Sequence, residues 1–248
     1  MIVRPVCVYC GLAEGIENEH VFPLSWYPDT TPSNLQRLTV PACKACNMRF
    51  KLVEEQFAAA IMMGLDSKRP EAAGLYERFS RRWKPSSGRD SKDRQHRLLK
   101  FQSIMRNTVW TDPHPGETTL LVRTPIGLVV RAAPVSPLDH EVLKLVVEKL
   151  VRGLHYAETG LVLGRLRLEA SIVTHQFIVQ GGKDLQDFFA QPARLPVDKR
   201  LGPGLWYRRH HDLDSSMWLF RFWGQLPIVA RVDHLGPTNA KGVPLPGA

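Results

Sequence analysis

The sequence predicts an α+β protein in three parts, and three patterns in its 248 residues carry that expectation. All four cysteines fall within the first forty-seven residues, as two Cys-x-x-Cys pairs. The middle of the chain sets apolar residues at helical spacing, and the last third alternates apolar and polar residues as half-buried strands do. The parts are expected at residues 1–66, 67–112 and 113–248: a metal-braced module, a basic helical segment, and a mostly antiparallel sheet with one packed helix.

The first part is built around Cys7-Val8-Tyr9-Cys10 and Cys43-Lys44-Ala45-Cys46. Each pair sets two thiolates one tight turn apart, and two such knuckles separated by thirty-two residues make a four-sulfur site that suits tetrahedral zinc. With all four positions taken by protein, that zinc would be structural. Between and just after the knuckles come Glu19-His20-Val21-Phe22-Pro23, Ser33-Asn34-Leu35 and Asn47.

The order Cys-x-x-Cys, Glu-His, Asn-Leu, Cys-x-x-Cys-Asn resembles the HNH endonucleases, over about a fifth of the chain. The resemblance implies a ββα-metal module of two short strands and a helix, braced by the four cysteines. It makes His20 the general base that activates water, with Asn34 orienting it, and Glu19 and Asn47 the ligands of a catalytic magnesium or manganese ion. Phosphodiester hydrolysis needs an activated water and a cation that stabilises charge on the phosphate and the leaving oxygen. Magnesium prefers oxygen ligands and retains waters, so one carboxylate and one amide oxygen suffice. Two positions depart from the family pattern: Glu19 stands where Asp is commoner, and Lys51 lies one place later than the lysine often found after the final Asn. DNA as the substrate follows from the resemblance alone, and RNA is not excluded. Residue by residue, other readings stay open. The cysteines also suit a zinc ribbon or treble-clef-like module that binds nucleic acid or protein without cutting, Asn34 suits a turn or helix cap, and His20 a half-buried histidine.

Composition bounds the rest. An apolar content of 44% and a charged content of 23% are those of a globular protein. No apolar run is long enough to span a membrane, no apolar leader precedes Cys7, and thiolates committed to zinc call for a reducing compartment, so the expected location is the cytoplasm. The net charge of +9 is concentrated: from Lys68 to Arg106 there are twelve Lys or Arg against four Asp or Glu. Such a segment is either a solvated helical face or a surface that tracks phosphates. The second reading nominates Arg78, Arg81, Arg82, Arg97 and Lys100 as nucleic-acid contacts.

In chain order, a helix is expected from Phe50 to Met63, with Leu52, Val53, Phe57, Ala60 and Ile61 inward. A second should run from Pro70 to Trp83, with Leu75, Phe79 and Trp83 on one face. A third should run from Asp90 to Val109, with Leu98, Phe101 and Met105 inward. Asp112-Pro113-His114-Pro115-Gly116 marks the expected boundary. Strands follow at Thr118–Arg123 and Ile126–Ala132, turning at Thr124-Pro125. A helix is then expected from a Ser136 cap to Tyr156. The last third should hold strands within Leu166–Gln180 and a meander of Leu205–His211, Met217–Trp223 and Ile228–Val232, with Trp218, Phe220 and Phe222 on one face. Residues after Leu235 read as a tail. His210-His211 with Asp212 and Asp214 offer metal-ligand types, but adjacent strand residues point to opposite faces. The role expected for this half is target recognition, ligand sensing, cover for the nuclease flank, or self-association as a homodimer.

Overall fold

The computed structural model describes residues 5–62, 64–111, 120–123, 129–135, 138–173, 197–211 and 215–235. The fold is α+β, and the described residues form four α-helices, a five-stranded antiparallel sheet and two smaller sheets. The N-terminal part is two short strands and a helix: β1 (Glu17–His20) pairs antiparallel with β2 (Thr39–Ala42), and α1 (Lys44–Met62) follows at once. The helix begins earlier than its apolar stripe suggests, because the second knuckle is itself its first turn, where Asn47 N–H donates to the Cys43 carbonyl at 3.0 Å. Val53 and Phe57 are buried as expected, Ala60 and Ile61 are half-buried, and Phe50 joins the buried face, whereas Leu52 is 65% exposed, one step off it.

The second expected helix is divided. Pro70–Ala72 forms a single 3-10 turn, and Gly74 takes a left-handed conformation (φ 73°) before α2 (Leu75–Trp83). A side chain at Gly74 would collide with the Asp29 carboxylate, so the break and the loop packed on it come together. Leu75, Phe79 and Trp83 are buried as one stripe.

Helix α3 (Ser91–Asn107) stops short of Val109, which enters a strand instead, and it is turned opposite to expectation. Leu98, Leu99 and Phe101 are exposed, while Arg97 and Lys100 face the protein. The surface this helix meets is polar: Arg97, held by Asp93 of its own helix at 2.9 Å, bonds the Arg81 carbonyl of α2, and Lys100 bonds Glu55 of α1 at 2.6 Å. Apolar periodicity says which face is apolar, not what the neighbouring surface offers it. The side chain of Met105 lies outside the described residues.

Strands β3 (Val109–Thr111), β4 (Leu120–Arg123) and β5 (Val129–Val135) form a sheet of order β3-β5-β4. The expected boundary at Asp112–Gly116, the turn at Thr124-Pro125 and the Ser136 cap all lie outside the described residues. Helix α4 (His140–Thr159) starts later than predicted, at an Asp139 cap whose Oδ1 accepts from the Glu141 N–H at 2.8 Å.

The large sheet comprises β6 (Leu166–Ile172), β7 (Val197–Arg200), β8 (Leu205–His211), β9 (Ser215–Phe222) and β10 (Leu226–His234), in the order β6-β10-β9-β8-β7. Its inner face carries Tyr207, Trp218, Phe220 and Phe222, with the Trp218 and Phe220 rings stacked 5.7 Å apart. The segment after Val173, the turn at 212–214 and the tail after Leu235 lie outside the described residues.

The three expected segments share one core, whose buried apolar residues run from Cys7 to Val232 in a single cluster. Phe22 and Trp26 of the N-terminal part meet Phe57, Phe222 and Trp223, and the Trp223 indole donates to the Trp26 carbonyl at 2.8 Å. That contact accounts for an unusual backbone: Trp223 has φ 48° beside Gly224 at φ 67°, a left-handed pair in the β9–β10 turn. The non-glycine member costs about 1–2 kcal/mol, which full burial of the indole offsets. Helix α4 lies between the two halves and approaches β1 closely enough that a Cβ on Gly153 would sit 2.9 Å from Val21. Among the described residues, no helix is long and apolar enough to cross a membrane.

Candidate active site and metal centre

The four cysteine sulfurs come together, all within 4.8 Å of one another. Tetrahedral Zn–S bonds of about 2.3 Å imply sulfurs roughly 3.8 Å apart, so a small contraction completes a zinc site. The first knuckle is shaped by Cys7 N–H donating to Ala13 O, Gly11 N–H donating to Cys7 O, and Gly11 at φ 65°. Val8 N–H then ties it to the Pro41 carbonyl of β2 at 2.9 Å, beside the second knuckle. The thiols are all free. Burial, then the neighbouring cysteines, hold Cys46 far above the ordinary thiol range, and burial raises Cys7 as well. Burial opposes ionisation of Cys10 too, but the backbone N–H groups of Ala13 and Leu12 and the Cys7 and Cys43 side chains outweigh it and bring Cys10 to about 7. Four sulfurs this close repel as thiolates, and a divalent cation removes that repulsion.

A few residues away, β1, the loop after it, and α1 enclose a cavity of about 240 Å³. Glu19, His20 and Asn47 all line it, together with Lys51, Glu54 and Arg82. Asn47, Lys51 and Glu54 recur at helical spacing along α1, so a single helix face supplies three of the wall groups. His20 is the last residue of β1, with its Nδ1 buried and lacking a hydrogen-bond partner among the described residues. Burial, with help from Arg37 and Lys149 and against the pull of Glu19, lowers its pKa below the ordinary value, so the ring is neutral and can accept a proton.

Asn47 is oriented by a residue that the sequence pattern did not flag. Its Nδ2 donates to Glu17 Oε2 at 2.6 Å, and because a carboxylate only accepts, this fixes which end of the amide is nitrogen. Oδ1 is left facing no donor among the described residues. Glu19 is held in a different way. Lys149 of α4, 1% exposed, donates to Glu19 Oε1 at 2.7 Å and to the His20 carbonyl at 2.8 Å, and pairs with Glu54. The lysine takes one carboxylate oxygen of Glu19 and leaves Oε2. Two carboxylates share one buried ammonium, and Glu54 is shifted upward, first by its own burial and against the pull of Lys149. The donor set of Glu19 Oε2 and Asn47 Oδ1 suits a hard cation that keeps most of its waters.

Asn34 is not part of this group. It is exposed at the tip of a turn closed by Leu35 N–H to the Pro32 carbonyl at 3.1 Å, does not line the cavity, and makes no hydrogen bond to His20. The five basic residues divide. Arg82 lines the cavity and is exposed. Arg78 is committed to the loop after β1, bonding the Tyr27 carbonyl at 2.7 Å and pairing with Asp29. Arg97 and Lys100 are committed to Asp93 and Glu55, and Arg81 Nε bonds the carbonyl of Glu77, one turn back on its own helix. His210 is buried, and the side chains of His211, Asp212 and Asp214 lie outside the described residues.

Glu17 and Lys149 are the residues the sequence reading missed. Glu17 gave no signal beyond alternating with Glu19 on β1. Lys149 left a trace, a lysine within Val146-Val147-Glu148-Lys149-Leu150-Val151 on a helix otherwise rich in buried apolar residues. Compared with family models, curated proteins and solved structures, the chain finds no match.

Proposed function

We propose that the chain is a divalent-cation-dependent endonuclease of the HNH type, hydrolysing phosphodiester bonds in DNA. One observation carries this reading: a histidine with an orphaned buried Nδ1 shares a cavity with a carboxylate and an amide oxygen, each oriented by its own partner. In this reading His20 takes a proton from the attacking water. Glu19 and Asn47 hold the cation, which when bound supplies charge stabilisation on the phosphate and leaving oxygen. Arg82 and Lys51, at the rim, attract the phosphate backbone. Glu17 fixes the Asn47 amide, and Lys149 fixes Glu19. The zinc site holds the first knuckle against β2 and α1, so the strand that carries His20 keeps its place.

The exposed position of Asn34 favours a second reading, in which the four-cysteine module docks on nucleic acid without cutting it. Plasmid nicking with and without added magnesium or manganese separates the two. Cation-dependent nicking that is lost in His20→Ala supports the nuclease. Salt-dependent binding without nicking supports the docking module.

A further inference from the structure

A second concavity lies on the outer face of the five-stranded sheet, away from α4 and the core. It encloses about 660 Å³, and its walls include Arg69, Glu71, Arg200, Trp206 and Arg221. Strand register builds it. Arg200 of β7 sits directly opposite Trp206 of β8, and Trp206 directly opposite Arg221 of β9. Residues directly opposite on neighbouring strands share a face, so the three form one row, guanidinium, indole, guanidinium. The outer two are separated by two strand spacings, roughly 10 Å.

Arg69, from the loop before α2, completes the group. Its guanidinium and that of Arg221 both donate to one oxygen, the Gly224 carbonyl, at 3.5 and 3.2 Å. Among the described side chains, acceptors are scarce here. Among the described residues, Glu71 makes no ion pair with Arg69, Arg200 or Arg221, the Arg69–Asp66 contact is long at 3.8 Å, and the Arg200 side chain has neither a hydrogen bond nor an ion pair. Arg208 adds a further guanidinium over the Trp206 ring, 5.6 Å from its centroid. Folding gains little from gathering exposed like charges around a neutral carbonyl, whereas each guanidinium fork matches a phosphate. An aromatic platform beside such cations is what single-stranded nucleic-acid grooves use to hold one base and its backbone.

We propose that this row binds a nucleotide unit, with phosphate against Arg200, Arg221 and Arg69 and the base against Trp206. As a foothold for a DNA strand it rests on the nuclease reading, while a free nucleotide would supply the same chemistry without it.

The test uses the full zinc-loaded chain without added magnesium, titrated with a fluorescein-labelled thymidine dodecamer and, separately, with thymidine monophosphate. Trp206→Ala and the double variant R200Q/R221Q are compared with the parent, and melting curves check that these surface changes leave the fold intact. Losing one stacked base should weaken dodecamer binding about 5- to 150-fold. Losing two phosphate contacts should flatten the log–log salt dependence by about 1.4. If the monophosphate binds the parent as tightly as the dodecamer does and both variants lose it, the site takes a free nucleotide. Parental affinity and slope in both variants, with no monophosphate binding, would overturn the proposal. The nuclease reading is judged apart, by plasmid nicking in His20→Ala: if nicking there is unchanged while Trp206→Ala loses binding, the site stands and the nuclease reading falls.

Discussion

The N-terminal ββα part and the five-stranded sheet are held together by opposite means. The sheet side is a stack of large rings, Tyr207, Trp218, Phe220 and Phe222, buried against α4 and paired across antiparallel strands. The N-terminal side has short strands of four residues each, and its ordering comes from a sulfur cluster and a buried ammonium. Apolar burial tolerates small changes of angle, whereas a tetrahedral metal and a three-way ion contact do not. If His20, Glu19 and Asn47 act together as proposed, their fixed relation is better served by the second kind of restraint. The two regions meet at Phe22, Trp26, Phe222 and Trp223, so the directional half is anchored on the apolar half.

This contrast makes quantitative predictions. The largest effect should come from the metal. Structural zinc in small modules contributes about 10–16 kcal/mol of apparent binding energy, so Cys43→Ser should unfold the N-terminal part and abolish zinc retention. Elemental analysis of the parent should give about one zinc per chain. A Cys43→Ser chain that melts like the parent would remove the basis of the contrast. Next in size, Phe222→Ala should cost about 3–5 kcal/mol by leaving a cavity where both halves meet, and surviving protein should still hold its zinc. Denaturant melts paired with metal analysis distinguish the two kinds of restraint.

Lys149→Met should be comparable, about 3–5 kcal/mol, because it leaves Glu19 and Glu54 buried without their counter-charge. Pairing it with Glu54→Gln separates the charge effect from packing. If the uncompensated charge is the cause, the double variant should recover part of the loss, and calorimetric manganese titration should find its affinity closer to the parent than that of Lys149→Met alone. No recovery would assign Lys149 to packing only. The smallest effects belong to the basic residues. Arg82→Gln should lower the log–log salt slope of duplex binding by about 0.9 with no change in melting temperature. Lys100→Gln should do the reverse, lowering the melting temperature by a small amount through loss of the Glu55 pair while leaving the slope alone.

What was legible in the sequence follows the same division. The cysteine frame and most of α1 could be read because ligand spacing and helix periodicity act over a few residues, whereas the two short strands came only as what the family resemblance implies. The strand Leu205–His211 and the shared face of Trp218, Phe220 and Phe222 were legible because alternation is local. Lys149 was not, since its partners lie 130 and 95 positions away, and a buried lysine is indistinguishable in sequence from a surface one. The orientation of α3 was misread for a related reason. Leu98 and Phe101 looked like a core face, but Arg97 found the Arg81 carbonyl of α2 and Lys100 the Glu55 carboxylate of α1. Arg78 shows the limit of charge counting, because its guanidinium is spent on the loop after β1.

The account turns on His20. The decisive measurement is the rate of magnesium-dependent plasmid nicking by His20→Ala against the parent, with zinc content and melting temperature checked in the same preparations. Losing a general base should slow cleavage by a factor of about 100 to 10,000, with zinc content and DNA affinity retained and no recovery as magnesium or manganese is raised. A variant that nicks at the parental rate would contradict the account and leave the four-cysteine part as a docking module.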